Sequence, residues 1–267
     1  MEAQSGEKDP VLVLHEPPLG WLVLNRPEVR NALNLRTWQR IAEALDELEA
    51  DAQVRVIILR GANHEAFIAG ADISEFPRLR ADAEQARAYE KAPARVVASL
   101  VASKKPAIAM IAGYCLGGGV QIALACDLRF AARETRLGIP AARLGLVYPP
   151  EAVRMLTQTV GPANARDLLL SGRDIDASEA AAMGLVNRVL EGRELESYTR
   201  EYALKLARNA PLSMAAAKAT VSFVCGLKHA PDLKQVEDAM WRSFDSEDFH
   251  EGVRAFLEKR RPTFSGR

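Results

Sequence analysis

The chain has 267 residues, of which 48% are hydrophobic and 26% are charged, and its 35 basic and 35 acidic side chains give a formal net charge of zero. This composition is typical of a soluble globular protein with one large domain, and the lack of a basic excess argues against a dedicated nucleic-acid-binding protein. No run of about 18 apolar residues predicts a membrane span, and three widely spaced cysteines without a CxxC pair favour the reducing cytoplasm. We therefore expect neither nucleic acid nor a membrane as a partner.

The N-terminal part of the chain shows a polar segment, a hairpin pattern and a helix pattern. Residues 1–10 are polar and mixed in charge, which predicts a flexible leader. Val11–His15 and Trp21–Asn25 are β-rich runs on either side of a Pro/Gly turn, as in a hairpin. Asn34 suits a helix N-cap. The apolar residues of one helical face follow it at Leu35, Trp38, Ile41, Ala42, Leu45 and Leu48.

The middle of the chain contains nearly continuous apolar runs. Val54–Leu59 and Ile108–Ala112 each predict a strand buried on both faces. Between them, Asp82–Ser103 has the pattern of a long helix, which lysines and a proline terminate. A short strand is predicted over Leu128–Ala131. The alternation of helix, buried strand and long crossover indicates an α/β fold with parallel strands.

The rest of the chain is dominated by helical patterns. Helices are predicted over Ala163–Leu170 and from the cap signals at Asp176 to Gly184, and the pattern beyond Glu194 is almost wholly helical. We therefore predict three regions, namely a flexible leader (1–10), a mixed α/β core (11–195) and a C-terminal helical region (196–267).

Two glycine-rich segments, 67–73 and 113–120, each follow a buried strand and precede a helix. The small side chains of 69–71 would let a ligand approach the backbone. Three consecutive glycines at 117–119 are conformationally costly, and they make sense where N–H groups at a helix N-terminus point into a pocket. Such groups could bind a phosphate or a developing oxyanion, although each segment could also be a simple tight turn. The spacing matches neither the dinucleotide fingerprint nor a Walker loop.

These segments belong to a pattern that extends over nearly the whole chain. Its parts are Asn25-Arg26-Pro27 with Asn31-Ala32-Leu33, Ala69–Ile73, Gly113–Gly119 with Cys126-Asp127, Ser171-Gly172-Arg173, and Glu251–Arg260. Together they resemble the enoyl-CoA hydratase/isomerase (crotonase) superfamily. The resemblance implies a spiral core of ββα repeats with a C-terminal helical trimerisation region. It also implies a homotrimer or a dimer of trimers.

The resemblance further implies an acyl-CoA thioester as substrate, with coenzyme A entering as part of that substrate and with no separate cofactor or metal. By position, the N–H groups of Ala71 and Gly118 would form an oxyanion hole for the thioester carbonyl. The residues expected to contact coenzyme A are Ala69, Gly70, Asp72 and Ile73 in the first turn, and Phe256 and Lys259 from a neighbouring subunit. Asp72 in this family is mostly structural.

The two glutamates that hydratases of this family use have no counterpart in the chain. Their positions hold Gln121, just after the glycine triplet, and Ala141, in Gly138-Ile139-Pro140-Ala141. Neither side chain can act as a general acid or base. A hydratase or isomerase would therefore need an unusual acid. Glu151 could project into the acyl pocket as that acid, or it could simply open the following helix.

Tyr148 follows a Leu-Gly pair by three residues, which is similar to the methylmalonyl-CoA decarboxylases of the same superfamily. Those enzymes have a histidine where this chain has Ala71. Decarboxylation of a malonyl-type thioester needs no general base, and a neutral Gln121 and Ala141 would not repel the substrate carboxylate. Gln121 could donate to that carboxylate. Tyr148 could orient it or help deliver a proton, or it could only line the acyl pocket. Three hypotheses remain: a malonyl-type decarboxylase, a hydratase or isomerase that uses Glu151, and a CoA-binding pseudoenzyme.

Overall fold

Ten strands and ten α-helices build the described part of the chain, residues 8–267 of a computed structural model. The strands are β1 (Val11–Glu16), β2 (Leu19–Leu24), β3 (Val56–Gly61), β4 (Ala66–Ile68), β5 (Ala107–Ile111), β6 (Tyr114–Leu116), β7 (Leu128–Ala132), β8 (Arg136–Gly138), β9 (Asp174–Asp176) and β10 (Arg188–Leu190). The helices are α1 (Leu35–Ala50), α2 (Phe76–Leu79), α3 (Ala83–Ala102), α4 (Gly118–Ala125), α5 (Pro150–Ser171), α6 (Ala177–Ala182), α7 (Gly192–Leu206), α8 (Pro211–Val224), α9 (Leu233–Phe244) and α10 (Glu247–Leu257).

A six-stranded sheet in the order β1-β2-β3-β5-β7-β10 forms the centre of the fold. Its first pair is the predicted antiparallel hairpin, and every other pair is parallel. Both faces of its middle strands β2, β3 and β5 are buried. Trp21 and Ile58 pack against Leu195 of α7 on one face, while Leu22 and Leu59 join a larger core with α1 and α3 on the other. Burial on both faces explains why these strands are continuous apolar runs, and the predicted α/β fold is confirmed.

A second sheet, in the order β4-β6-β8-β9, consists of strands of three residues each. Strands this short show too little alternation to be recognised in a sequence, and they were not predicted. This sheet carries both glycine-rich segments. The first leaves β4 at Ile68, and the second passes through β6 into α4.

The helix boundaries follow local capping chemistry. Asn34 accepts a hydrogen bond from Thr37 N at 2.8 Å and starts α1 as predicted, and the Asp82 side chain caps α3 at the beginning of the helix predicted over Asp82–Ser103. Helix α5 spans Pro150–Ser171, but Gly161 is not helical (φ 78°, ψ 162°) and divides it into two segments, of which the second contains the predicted 163–170. No helix among the described residues is both long and apolar enough to cross a membrane.

Two of the predicted region boundaries fall at defined places in the fold. The leader lies mostly outside the described residues, but Pro10 is buried and its carbonyl accepts a hydrogen bond from Asn25 N at 2.8 Å. The predicted boundary at 195/196 falls inside α7, whose Leu195 and Ala203 pack under the main sheet. Helices α8 to α10 form the remaining helical region, and trimerisation through it stays a prediction.

Candidate active site

The first glycine-rich turn is held in place by backbone hydrogen bonds to Leu33. Leu33 N donates to Gly70 O at 2.8 Å, and Asp72 N donates to Leu33 O at 2.9 Å. These two bonds form a parallel bridge between Leu33 and Ala71. They leave the Ala71 N–H, which lies between them, without an acceptor among residues 8–267. The turn therefore presents the Ala71 N–H as a free backbone donor.

The loop before α1, residues 26–32, holds this turn through side-chain hydrogen bonds. Arg26 N donates to Asn31 Oδ1 at 2.9 Å, and Asn31 N donates back to Arg26 O at 2.8 Å, which closes the loop on itself. The Arg26 guanidinium bonds Ala32 O at 2.6 Å and the Asp72 carboxylate at 3.1 Å. Burial raises the pKa of Asp72, but hydrogen bonds from Ser74 and Arg26 outweigh it, so the net pKa is lowered. The Asp72 carboxylate therefore ties the turn to Arg26 and Ser74, and its contact with coenzyme A stays a prediction.

The second turn presents its donor at a helix N-terminus. Gly117 adopts φ 48° and ψ −111°, a backbone region that favours glycine, and its N–H donates to Gly138 O at 2.9 Å. Gly118 is the first residue of α4, so its N–H has no carbonyl one turn earlier within the helix. A Cβ on Gly119 would lie 2.8 Å from Ile68 O, which shows how closely α4 packs on β4. The sequence requires glycine here because of the turn and the close packing.

The two turns meet at one place. A Cβ built on Gly117 would lie 3.9 Å from Gly70 Cα, and one built on Gly70 would lie 3.8 Å from Leu116 O. Ala71 and Gly118, the residues next along the chain from Gly70 and Gly117, hold their free N–H groups at this junction. Two fixed donors beside one another can stabilise negative charge that develops on an oxygen.

Tyr148 is buried against the second turn. Its side chain is 7% exposed, and its hydroxyl donates to Gly117 O at 2.9 Å. Burial raises the pKa of this phenol well above its ordinary value, so the hydroxyl keeps its proton at neutral pH. The sequence placed Tyr148 at the site, but its contact with Gly117 was not predicted, since 31 residues separate the two.

Gln121 and Ala141 flank the same junction, and neither supplies a carboxylate. Gln121 is 7% exposed, and its side-chain amide has no hydrogen-bond partner among the described residues. In residues 8–267, the unpaired side-chain polar atoms that are fully enclosed are Trp21 Nε1 and Arg60 Nε. The unpaired Gln121 amide is not fully enclosed, so it faces open space. Ala141 packs against the core. The bond from Gly117 N to Gly138 O brings its segment to the second turn.

Glu151 lies at the start of α5, and its carboxylate is occupied. One oxygen accepts a hydrogen bond from Lys228 N at 2.9 Å, and the other lies 3.4 Å from Arg154 Nε. This is the alternative expected for Glu151, a helix-opening residue that ties α5 to the loop before α9. The geometry gives no support to Glu151 as a substitute acid.

The remaining predicted coenzyme A contacts differ in exposure, because Gly70 is buried and Ala69 is half-buried. Ala69 and Gly70 are within the first turn, and Ile73 is exposed at its end. Phe256 is 82% exposed on α10, and Lys259 follows that helix. No hydrogen bond joins either to a glycine turn within the described residues, so their contact with coenzyme A stays a prediction. No group of three metal-ligating side chains occurs in residues 8–267.

The residues that hold the first turn were not predicted from the sequence. Leu33, Arg26 and Asn31 position the first turn, and their only signal was the pattern Asn25-Arg26-Pro27 with Asn31-Ala32-Leu33. That pattern contributed to the resemblance without showing what the residues contact.

Similarity to known proteins extends over nearly the whole chain. A family model described as "Enoyl-CoA hydratase/isomerase" matches residues 19–267. The short-chain-enoyl-CoA hydratase of Clostridium acetobutylicum is 34% identical over 257 residues, which cover 96% of this chain and 97% of that protein. The 2,3-dehydroadipyl-CoA hydratase of Escherichia coli K12 is 35% identical over 246 residues, which cover 92% of this chain and 94% of that protein.

Solved structures show the same similarity in three dimensions. A crystal structure of an enoyl-CoA hydratase/carnithine racemase from Magnetospirillum magneticum has a TM-score of 0.91 and 38% identity, covering 98% of this chain and 97% of that one. An enoyl-CoA hydratase/isomerase family protein from Hyphomonas neptunium has a TM-score of 0.90 and 37% identity, covering 97% and 98%.

Proposed function

The chain belongs to the enoyl-CoA hydratase/isomerase family of enzymes that act on CoA thioesters, and we propose that it stabilises a thioester enolate between the N–H groups of Ala71 and Gly118. The observation that carries this proposal is the junction of the two glycine turns, where both N–H groups are free. An enolate places its negative charge on the thioester oxygen. Preorganised donors stabilise that charge without having to reorient during the reaction.

The donor role can be tested at Gly118, because proline is well tolerated at the first position of a helix and lacks an N–H. Gly118→Pro removes the donor, while Gly118→Ala adds a Cβ and keeps the donor. We expect the proline variant to turn over its substrate about 10²–10³-fold more slowly than the alanine variant. Equal rates in the two folded variants would argue against Gly118 as an oxyanion donor.

We further propose that the reaction forms the enolate without a carboxylate base, as in decarboxylation of a malonyl-type CoA ester. The bond between the α-carbon and the carboxylate breaks, its electron pair moves into the enolate, and CO₂ leaves. The α-carbon then takes a proton from water. Gln121 supports this reaction, because its neutral, unpaired amide faces open space and can donate to the substrate carboxylate without repelling it.

Hydration of a 2-enoyl-CoA is the second candidate, and the names of the relatives favour it. The hydratases of Clostridium acetobutylicum and Escherichia coli K12 are 34% and 35% identical to this chain. A hydratase here would need a proton donor other than Gln121, Ala141 or the hydrogen-bonded Glu151.

Product analysis separates the candidates. Purified protein is incubated with methylmalonyl-CoA and, separately, with crotonyl-CoA in ¹⁸O-labelled water. The masses of the CoA products are then measured by mass spectrometry. Loss of CO₂ from the first supports the decarboxylase, whereas addition of labelled water to the second supports the hydratase. If neither ester changes while coenzyme A still binds, the pseudoenzyme hypothesis gains support and the proposed reaction is wrong.

We also propose a homotrimer or a dimer of trimers, located in the cytoplasm. An apolar surface supports the assembly, because Trp241, Phe244, Phe256 and Leu257 are all exposed on α9 and α10. The three cysteines are free, which suits a reducing compartment. Light scattering of the purified protein tests the assembly, and a monomeric mass would contradict it.

A further inference from the structure

The donor at Gly118 shares a peptide bond with the carbonyl that Tyr148 contacts. Gly117 C=O and Gly118 N–H are the two ends of one planar unit. Gly117 O accepts two hydrogen bonds, from the Tyr148 hydroxyl at 2.9 Å and from Gln121 N at 3.1 Å. Because the unit is planar, any group that fixes the carbonyl also fixes the direction of the N–H.

The donor at Ala71 is arranged in the same way. Gly70 C=O and Ala71 N–H form one peptide unit, and Leu33 N donates to Gly70 O at 2.8 Å. Each proposed oxyanion donor therefore has a hydrogen bond on the opposite end of its own peptide. The two peptide units, Gly70–Ala71 and Gly117–Gly118, differ in the group that holds their carbonyl. A backbone N–H holds the carbonyl of the Gly70–Ala71 peptide, whereas the side chain of Tyr148 helps to hold the carbonyl of the Gly117–Gly118 peptide.

A hydrogen bond to a carbonyl also polarises the peptide behind it, which strengthens the N–H as a donor. We propose that Tyr148 is a positioning residue of the oxyanion hole, acting through the Gly117–Gly118 peptide rather than on the substrate. This inference rests on the proposed function, because it takes the Gly118 N–H as the group that binds the thioester oxygen.

The surroundings of Tyr148 suit this role. The ring is buried, and this burial raises the pKa of the Tyr148 hydroxyl. The hydroxyl therefore stays protonated and can donate to Gly117 O. That bond is the one hydrogen bond of the hydroxyl among the described residues. Val147, the preceding residue, is 91% exposed, so the two neighbouring side chains point to opposite sides of this segment and Tyr148 points inward.

Tyr148→Phe removes the hydroxyl and keeps the ring. The probe is butyryl-CoA with a ¹³C-labelled thioester carbonyl, because a saturated acyl group without a free carboxylate undergoes neither proposed reaction. Hydrogen bonds from the hole lower the infrared stretching frequency of that carbonyl on binding. We expect a clearly smaller shift in Tyr148→Phe than in the wild type. We also expect kcat to fall about 10-fold, less than for loss of a donor outright, with little change in KM.

A matched control is Val147→Ala, a neighbouring change on the exposed side of the loop, which should leave the carbonyl frequency and kcat unchanged. If Tyr148→Phe fails to fold, 3-fluorotyrosine at position 148 is the second variant. It is nearly isosteric and its hydroxyl is a stronger donor, so the frequency should shift further than in the wild type. An unchanged shift with fluorotyrosine would overturn the inference.

The outcomes separate this inference from the proposed function. If the wild type itself shows no carbonyl shift, the oxyanion hole does not bind the thioester and the proposed function fails. If the wild type shows the shift and Tyr148→Phe retains all of it while losing kcat, Tyr148 acts on the substrate and the inference is wrong. If neither quantity changes in Tyr148→Phe, the residue only lines the pocket, and the inference is again wrong.

Discussion

The guanidinium of Arg26 lies 3.1 Å from the carboxylate of Asp72, the residue that follows the proposed oxyanion donor Ala71. Both side chains are largely buried, at 19% and 18% exposure. The same guanidinium bonds Ala32 O, one residue before the Leu33 that pairs with Ala71. Arg26 therefore joins the two chain segments that hold this donor, so its loss should affect both stability and catalysis.

We expect Arg26→Met to reduce the free energy of unfolding at pH 7 by about 1–3 kcal/mol, because it leaves a partly buried carboxylate without its cation. Urea denaturation measures this change. Arg30→Met is the control in the same loop, since the Arg30–Glu65 pair is mostly exposed and should contribute less than about 1 kcal/mol. Equal losses in the two variants would contradict a special role for Arg26.

The stability difference between wild type and Arg26→Met should depend on pH, and the pKa shift of Asp72 gives its sign. The folded state lowers the pKa of Asp72, so the stability from its partners is present above the unfolded pKa of about 3.9. It is lost as the pH falls through the lower folded pKa. The difference between wild type and Arg26→Met should therefore shrink in acid, and a difference that grows there would contradict the assignment.

Lys218 should anchor α8 to the core. Its ammonium lies 2.8 Å from Asp127 Oδ2 and 3.1 Å from Lys105 O, and its side chain is only 9% exposed. We expect Lys218→Met to lower the free energy of unfolding by about 1–3 kcal/mol, because the partly buried Asp127 carboxylate loses its cation and keeps only the hydrogen bond from Ala107 N. Lys205→Met is the control, since Lys205 forms an exposed pair with Glu201 and should contribute under about 0.5 kcal/mol. Urea denaturation of both variants measures the two losses of unfolding free energy, and equal losses would contradict an anchoring role for Lys218.

His15 should make stability depend on pH near neutrality. Its ring nitrogens lie 2.7 Å from Asp51 and 3.2 Å from Glu47, and hydrogen bonds to these carboxylates raise its pKa. A raised pKa adds stability that is fully present below the unfolded pKa of about 6.5 and is lost as the pH rises through the folded pKa. The stability difference between wild type and His15→Gln should therefore be largest in mild acid and should decrease in alkali. A constant difference across that range would show that His15 does not titrate in this way.

Gln121 offers a direct test of the proposed reaction. If the substrate carries a carboxylate, Gln121→Glu should lower kcat/KM for a malonyl-type ester by about 10-fold or more, because two like charges would be brought together. Gln121→Ala loses the donor without adding charge and should lose less. Steady-state assays of both variants give the comparison, and a glutamate variant as active as the wild type would exclude a carboxylate beside this position.

Local sequence determined much of the fold. Asn34 and Asp82 start their helices through their own side chains, and these bonds span only two or three residues. The buried strands β3 and β5 were evident because a strand covered on both faces has no polar alternation. The two glycine turns could be located because close packing and positive φ exclude most other residues there. The candidate site could thus be assigned to two segments of the chain.

Tertiary structure alone decided which atoms meet at that site. The contacts between Tyr148 and Gly117 and between Glu151 and Lys228 join residues 31 and 77 positions apart. No local pattern encodes such a distance, because the partners are brought together by the packing of the sheets and helices between them. The same holds for the second sheet, whose three-residue strands are stabilised by their neighbours and have no periodicity of their own. The sequence therefore supplied the chemical groups, and the packing determined that the Tyr148 phenol contacts Gly117 O and that the Glu151 carboxylate contacts Lys228 N.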